Sequence, residues 1–131
     1  NQYHQDFIDA ADILTASDIN IKDPENFLKR QIAQGKKLVV LTKGKDGLIA
    51  LDHENIRYDL KGYNNVKYVD SNGAGDSFCA GTITHYCLTK NIGESLQIGT
   101  ICGALACTSI NLFNSKYSYE DILNIKKSVD F

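Results

Sequence analysis

An α/β fold, with strands gathered in the first half and helices in the second, is what this sequence of 131 residues predicts. Three observations carry it. Leu38-Val39-Val40-Leu41 is a continuous apolar run of strand length, the pattern of a strand covered on both faces. A polar, glycine-bearing stretch from Asp70 to Asp76 lies between an extended-looking segment and a helical pattern. Residues 94–112 are apolar on most sides, as in a helix buried at the centre of a domain.

Taken in order, Ala11-Asp12-Ile13-Leu14-Thr15-Ala16 reads as a short buried strand running into a loop. A well-marked helix follows. Asp23 is placed to cap it, Pro24 suits its first turn, Phe27, Leu28, Gln31 and Ile32 share a face, and Gly35 ends it. After the 38–41 strand, Gly44 and Gly47 interrupt the apolar run before a second strand, Leu48-Ile49-Ala50-Leu51. Shorter extended segments are expected around 56–60 and 66–69. Beyond Asp76, Phe78, Ala80, Gly81, Ile83, Thr84, Cys87 and Leu88 recur at helical spacing, and Gly93 is read as the break before the next helix. Ser118 opens a final amphipathic helix with Asp121 at the capping-box position and Ile122, Leu123, Ile125 and Val129 inward. No repeat or linker interrupts the pattern, so a single α/β unit over 1–131 is expected.

Composition excludes more than it assigns. The chain is 43% hydrophobic and 23% charged, as ordinary globular proteins are. Fourteen basic against sixteen acidic residues leave a net charge of -2, with no basic stripe for nucleic acid. No apolar run is long enough for a membrane helix. Neither a basic n-region nor an apolar h-region marks the start, and the sequence holds no Met. An excised part of a longer protein is the expectation. Cys79, Cys87, Cys102 and Cys107 form no CxxC pair and have no ligand-like spacing to His4, His53 or His85. They read as buried reduced thiols of a cytoplasmic protein.

The chemistry is concentrated in Gly73-Ala74-Gly75-Asp76. Glycine lets the backbone turn tightly and approach a ligand without a Cβ in the way. At a helix start, the amides near Ala74, Gly75 and Asp76 have no intrahelical acceptors and point outward with the positive end of the helix dipole. That arrangement suits an anion, above all a phosphoryl group. Asp76 is then placed to accept a proton from an attacking hydroxyl, in a reaction where positioning and charge stabilisation carry most of the catalysis.

With these residues in view, the stretch from Val69 to Gly81, thirteen consecutive positions, resembles the second signature of the PfkB/ribokinase carbohydrate kinases. That signature joins an aspartate and a small hydroxyl residue to GAGD, a nearby Phe and a following Gly. Upstream, Val40-Leu41-Thr42-Lys43-Gly44-Lys45-Asp46-Gly47 is similar to the family's T-x-G-x-x-G segment. The likeness covers roughly residues 8–125. It implies a ribokinase-like three-layer α/β/α sandwich, of which this chain is the C-terminal portion, and an ATP- and Mg2+-dependent sugar kinase. Asp76 would be the base, and Gly73, Ala74 and Gly75 the anion hole. Thr42, Gly44, Gly47 and Gly103 would contact the nucleotide, and Asp70 would sit where the family binds a monovalent cation such as K+. The implied partners are ATP and a small sugar-like substrate, with the full-length parent a homodimer.

The sequence departs from the family at two places. The family's N-x-x-E motif is matched by Ser17 and Asn20, which lack its carboxylate, and the stretch from Asn111 to Ser115 has no glycine where the family's cation loop has one. Ala16-Ser17 is similar to the fructosamine kinase branch, and Asn72 to adenosine-kinase-like members. Because the amino-terminal half with the substrate lid is absent, the chain alone is expected to bind nucleotide weakly and to turn over no sugar. A nucleoside or vitamin-like alcohol as acceptor, or a regulatory homologue without catalysis, are the alternatives.

Overall fold

Contacts within the chain gather into two units, Asn1–Lys61 and Gly62–Phe131. The computed structural model describes residues 12–17, 21–64, 66, 74–107 and 118–129.

The described residues of the first unit form a four-stranded sheet and a helix. Strand β1 (Ile13–Ser17) leads into α1 (Pro24–Ala33), β2 (Leu38–Thr42), a short 3-10 turn (Gly44–Asp46), β3 (Leu48–Asp52) and β4 (Arg57–Leu60), in sheet order β1-β2-β3-β4. The β1–β2 pair is parallel, with Ile13 opposite Leu38 and Ser17 opposite Thr42. The other pairs are antiparallel, with Leu38 opposite Asp52 and Leu48 opposite Leu60. Helix α1 forms as its caps dictate. The Asp23 carboxylate accepts the Asn26 amide at 3.1 Å, Pro24 takes the first position, and Gly35 turns the chain at φ 102°. Its apolar face brings Leu28, fully buried, onto Val39, Leu41, Ile49 and Leu51, flanked by Leu14, Ala16, Phe27 and Ile32. Each such aliphatic side chain contributes about 2 kcal/mol when fully buried. Leu38, Val40, Leu48 and Ala50, which alternate with that set, are buried as well. The apolar runs therefore did mark strands covered on both faces. Strand β1 differs from expectation: it is half-buried, and among the described residues it pairs on one side only, at the sheet edge.

At the β3–β4 turn, Asp52 is 2% exposed and its carboxylate organises the connection. One oxygen accepts the Glu54 and Ile56 amides at 2.9 and 3.0 Å, and the other accepts the Tyr58 hydroxyl at 3.0 Å. Burial and this bond together push the Tyr58 phenol up to about 12. Arg57 on β4 reaches back to α1, donating from Nε to both Glu25 oxygens at 3.1 Å. The pairing holds the Glu25 carboxyl below its ordinary range. The extended segment expected at 66–69 lies, beyond residue 66, outside the described residues.

The second unit is helical: α2 (Ala74–Thr89), α3 (Ile92–Ala106) and α4 (Tyr119–Ser128). Two expectations change here. Helix α3 begins at Ile92, because the Asn91 side chain accepts the Glu94 amide at 3.0 Å and caps it; Gly93 sits inside the first turn instead of separating the helices. Helix α2 buries Phe78, Thr82 and His85, while Ala80 and Thr84 are exposed and Leu88 is 66% exposed. The reason lies on α3. A Cβ at Gly99 would stand 1.9 Å from Thr82 Oγ1, so the missing side chain makes the space that Thr82 enters. Likewise a Cβ on Gly81 would stand 2.6 Å from Cys102 Sγ. Helix α3 buries Leu96, Ile98, Ile101 and Leu105, as its uniform apolarity predicted. The capping box of α4 forms as read, with the Ser118 amide donating to Asp121 at 2.9 Å and the Asp121 amide to Ser118 Oγ at 3.1 Å. Among the described residues no helix is long and apolar enough to cross a membrane. The four cysteines form no disulfide; Cys107 is buried and the others half-buried.

Candidate functional site

The first turn of α2 is built from Ala74, Gly75 and Asp76. Ala74 is half-buried, whereas Gly75 and Asp76 are exposed. The turn therefore places its amides, which have no acceptor within the helix, and a carboxylate at the positive end of a helix of 16 residues. Gly75 is the informative position. Its φ lies outside the left-handed region, and a Cβ built on it would meet nothing within 4 Å. Neither backbone conformation nor packing among the described residues calls for glycine there, and in a helix glycine costs about 1 kcal/mol relative to alanine. The open space over its Cα is the kind of cradle that a phosphoryl group approaching the amides would fill.

Gly103 lies beneath this turn. A Cβ there would stand 3.2 Å from the Ala74 carbonyl oxygen and 3.5 Å from Phe78 Cβ. The structure thus brings Gly103 to Ala74, against the first turn of α2. Gly73 and Asp70 lie outside the described residues, as does Asn20.

Thr42, Gly44 and Gly47 come together in the β2–β3 connection. Lys43 donates to the Gly47 carbonyl at 2.8 Å and Gly47 to the Gly44 carbonyl at 3.3 Å, with the two glycines at φ 59° and 105°. These are backbone conformations that side chains with a Cβ rarely adopt, so the glycine spacing has a local structural cause. Gly44 is exposed with open space around it, while Gly47 is buried. Thr42 Oγ1 donates to the Ala16 carbonyl at 3.4 Å, tying β2 to β1.

In the sequence, Ser17 stands out as a departure from the N-x-x-E motif and, with Ala16, as a likeness to the fructosamine kinase branch. It ends β1 directly opposite Thr42. The two residues thus share the carboxyl ends of the parallel pair, the edge at which open α/β sheets bind ligands. No spacing in the sequence reveals that register. Thr82 and His85 are hidden in the sequence for another reason, since the helical spacing read through Thr84 points away from the face that is buried.

Similarity to known proteins gives the family. Residues 7–117 match the model of the pfkB family of carbohydrate kinases. The chain is 33% identical over 108 residues to an ATP-dependent 6-phosphofructokinase of Thermoanaerobacterium thermosaccharolyticum, covering 82% of this chain and 32% of that protein. It is 34% identical over 102 residues to the acarbose 7(IV)-phosphotransferase of an Actinoplanes strain, covering 75% and 34%. Among solved structures, the ribokinase of Thermotoga maritima superposes with a TM-score of 0.77 at 23% identity, covering 88% of this chain and 42% of that one. An Escherichia coli protein assigned as ribokinase II, in complex with ATP and Mg2+, superposes with a TM-score of 0.79 at 24% identity, covering 98% and 43%. The fold is therefore α/β and ribokinase-like, of which the chain carries a part. The chain belongs to the pfkB family of carbohydrate kinases. It spans about a third of the length of the curated relatives it matches.

Proposed function

We propose that the protein containing this chain is an ATP-dependent sugar kinase, transferring the γ-phosphoryl group of ATP to a hydroxyl of a carbohydrate. The observation that supports it most is the first turn of α2, where the space a Gly75 Cβ would enter is open beside the exposed Asp76. In this reading the amides of Gly73, Ala74 and Gly75 hold the transferring phosphoryl group and oppose the charge that builds on it. Asp76 aligns the acceptor hydroxyl and takes its proton as the bond to phosphorus forms; the electron pair of the breaking bond leaves with ADP. A loose transition state needs only a weak base at this point, so a carboxylate serves. Thr42, Gly44 and Gly47 line the nucleotide at the sheet edge, and Gly103 backs the Ala74 turn.

Mg2+ would accompany the nucleotide in this reading and would supply charge neutralisation at its phosphates. Asp70 is the residue assigned to a monovalent cation. The 131 residues alone bind nucleotide weakly and turn over no sugar, because they span only part of a kinase of this family. Four cysteines outside any disulfide support a cytoplasmic setting.

The test is an assay of the full-length protein with ATP and a panel of sugars, fructosamines and nucleosides, beside Asp76→Asn. The variant is expected to lose at least about a hundredfold in kcat while keeping its nucleotide affinity. An unchanged rate would remove Asp76 from the mechanism. Nucleotide binding without turnover of any acceptor would favour a regulatory role for the family fold.

A further inference from the structure

Four side chains that the proposed chemistry leaves unused form one continuous polar chain within the second unit. His85 on α2 is 4% exposed, and both of its ring nitrogens are engaged. Nδ1 meets the Tyr119 hydroxyl on α4, and Nε2 meets the Glu94 carboxylate on α3 at 3.5 Å. Glu94 in turn pairs with Lys126 Nζ on α4 at 3.3 Å. The chain therefore begins and ends on α4. Tyr119 and Lys126 are seven residues apart, about two helical turns, and so occupy one face of that helix.

Helix α4 has little else to fix it. None of its residues is fully buried, and Ile122, Leu123 and Ile125 are half-buried. Apolar contact of this kind is non-directional. A helix shifted along its axis by one turn would present a similar apolar row, since rows repeat every three or four residues. The polar chain has no such freedom. One register alone places a hydroxyl at Nδ1 and an ammonium at Glu94 together.

We propose that Tyr119, His85, Glu94 and Lys126 form a two-point latch that fixes the register of α4 on α2 and α3, and that α4 detaches as a unit when the latch is broken. The donors and acceptors assign the bonding. A carboxylate only accepts, so in the neutral ring Nε2 carries the hydrogen toward Glu94 and Nδ1 accepts from the Tyr119 hydroxyl. The His85 ring and then the Lys126 ammonium hold the Glu94 carboxyl below its ordinary range, so both bonds to it are made to a charged acceptor. Tyr119 is 37% exposed, which lets its hydroxyl exchange the ring for water when α4 lifts. The latch stands independently of the phosphoryl-transfer reading, since none of its residues belongs to the α2 first turn.

Hydrogen exchange on the intact protein tests it, with Tyr119→Phe and Glu94→Gln as the variants. Both keep the buried ring and nearly all of the packing volume. Amides of residues 122–127 should exchange about tenfold faster in each variant, with those of residues 95–105 changed less than about twofold. Unchanged exchange over 122–127 in both variants would overturn the proposal. Equal acceleration over 95–105 would overturn it too, making the four groups general stabilisers of the helices. Long-range proton–nitrogen NMR of His85 at mildly alkaline pH gives a second readout. A hydrogen on Nε2 is expected, and one on Nδ1 would overturn the assigned bonding.

Discussion

The two units use glycine in opposite ways. In the sheet unit, Gly35 and Gly44 have φ of 102° and 59° and nothing within 4 Å of where a Cβ would stand. Glycine is there for the backbone, to end a helix and to turn a hairpin. In the helical unit, Gly81, Gly99 and Gly103 have φ outside the left-handed region, yet a Cβ on each would press into a neighbouring helix. Glycine is there for the space. The difference teaches what each unit depends on. The sheet is held by buried aliphatic side chains with turn chemistry at its corners, whereas the α2–α3 seam is held by close backbone approach. Gly75 fits neither description, and that is what sets it apart.

The sharpest way to break the comparison is Gly99→Ala. Its Cβ would lie 1.9 Å from Thr82 Oγ1 and 2.8 Å from the Phe78 carbonyl oxygen, and a backbone atom cannot swing aside. A loss of about 3 kcal/mol is expected in chemical denaturation. Thr82 Oγ1 has no hydrogen-bond partner among the described residues, so Thr82→Ala alone should cost under about 1 kcal/mol. The double variant should recover part of the Gly99→Ala loss and no more, because the Phe78 contact remains. Full additivity would mean the seam is not where the strain falls.

A milder test falls on the corner chemistry of the sheet. Tyr58→Phe removes one of three donors from the buried Asp52 carboxylate and should cost about 1 kcal/mol. Alkali gives a matching signature. The Tyr58 phenol is raised from 10.0 to about 12 in the fold, so its contribution is fully present below about 10 and is lost as pH rises toward 12. Stability measured across that window should fall more steeply in the parent chain than in Tyr58→Phe. Equal slopes would show that other groups govern alkaline unfolding.

These two sites also show what was legible beforehand. Strands β2 and β3 and helix α1 could be read because their signals are local: an unbroken apolar run, Asp23 before Pro24, Gly35 after the last apolar position. The α4 capping box was legible for the same reason. The buried face of α2 was not, because it depends on which α3 residues lack side chains, and Thr82 and His85 become interior only once Gly99 and Tyr119 are beside them. Register was equally hidden, so Ser17 could not be placed opposite Thr42. Of the candidate site, the residue types around Asp76 announced a helix start that presents a carboxylate, while the packing of Gly103 against Ala74 is a tertiary fact with no spacing to reveal it.

The smallest expected effect is the most diagnostic. Gly75→Ala introduces a Cβ into open space on a backbone that accepts it, so stability should rise by about 0.5–1 kcal/mol through the reduced freedom of the unfolded chain. That sign already separates Gly75 from Gly99, where the same methyl destabilises. If the open space is where a phosphoryl group reaches the amides, the methyl occupies part of it. Nucleotide affinity of the full-length protein, read by calorimetry, should then fall as stability rises. A glycine that merely shaped the turn would give stabilisation with unchanged affinity, and a glycine required by the fold would give a loss of both. Only the opposed pair of outcomes, a more stable protein that binds nucleotide less well, is what a residue kept for its ligand should show.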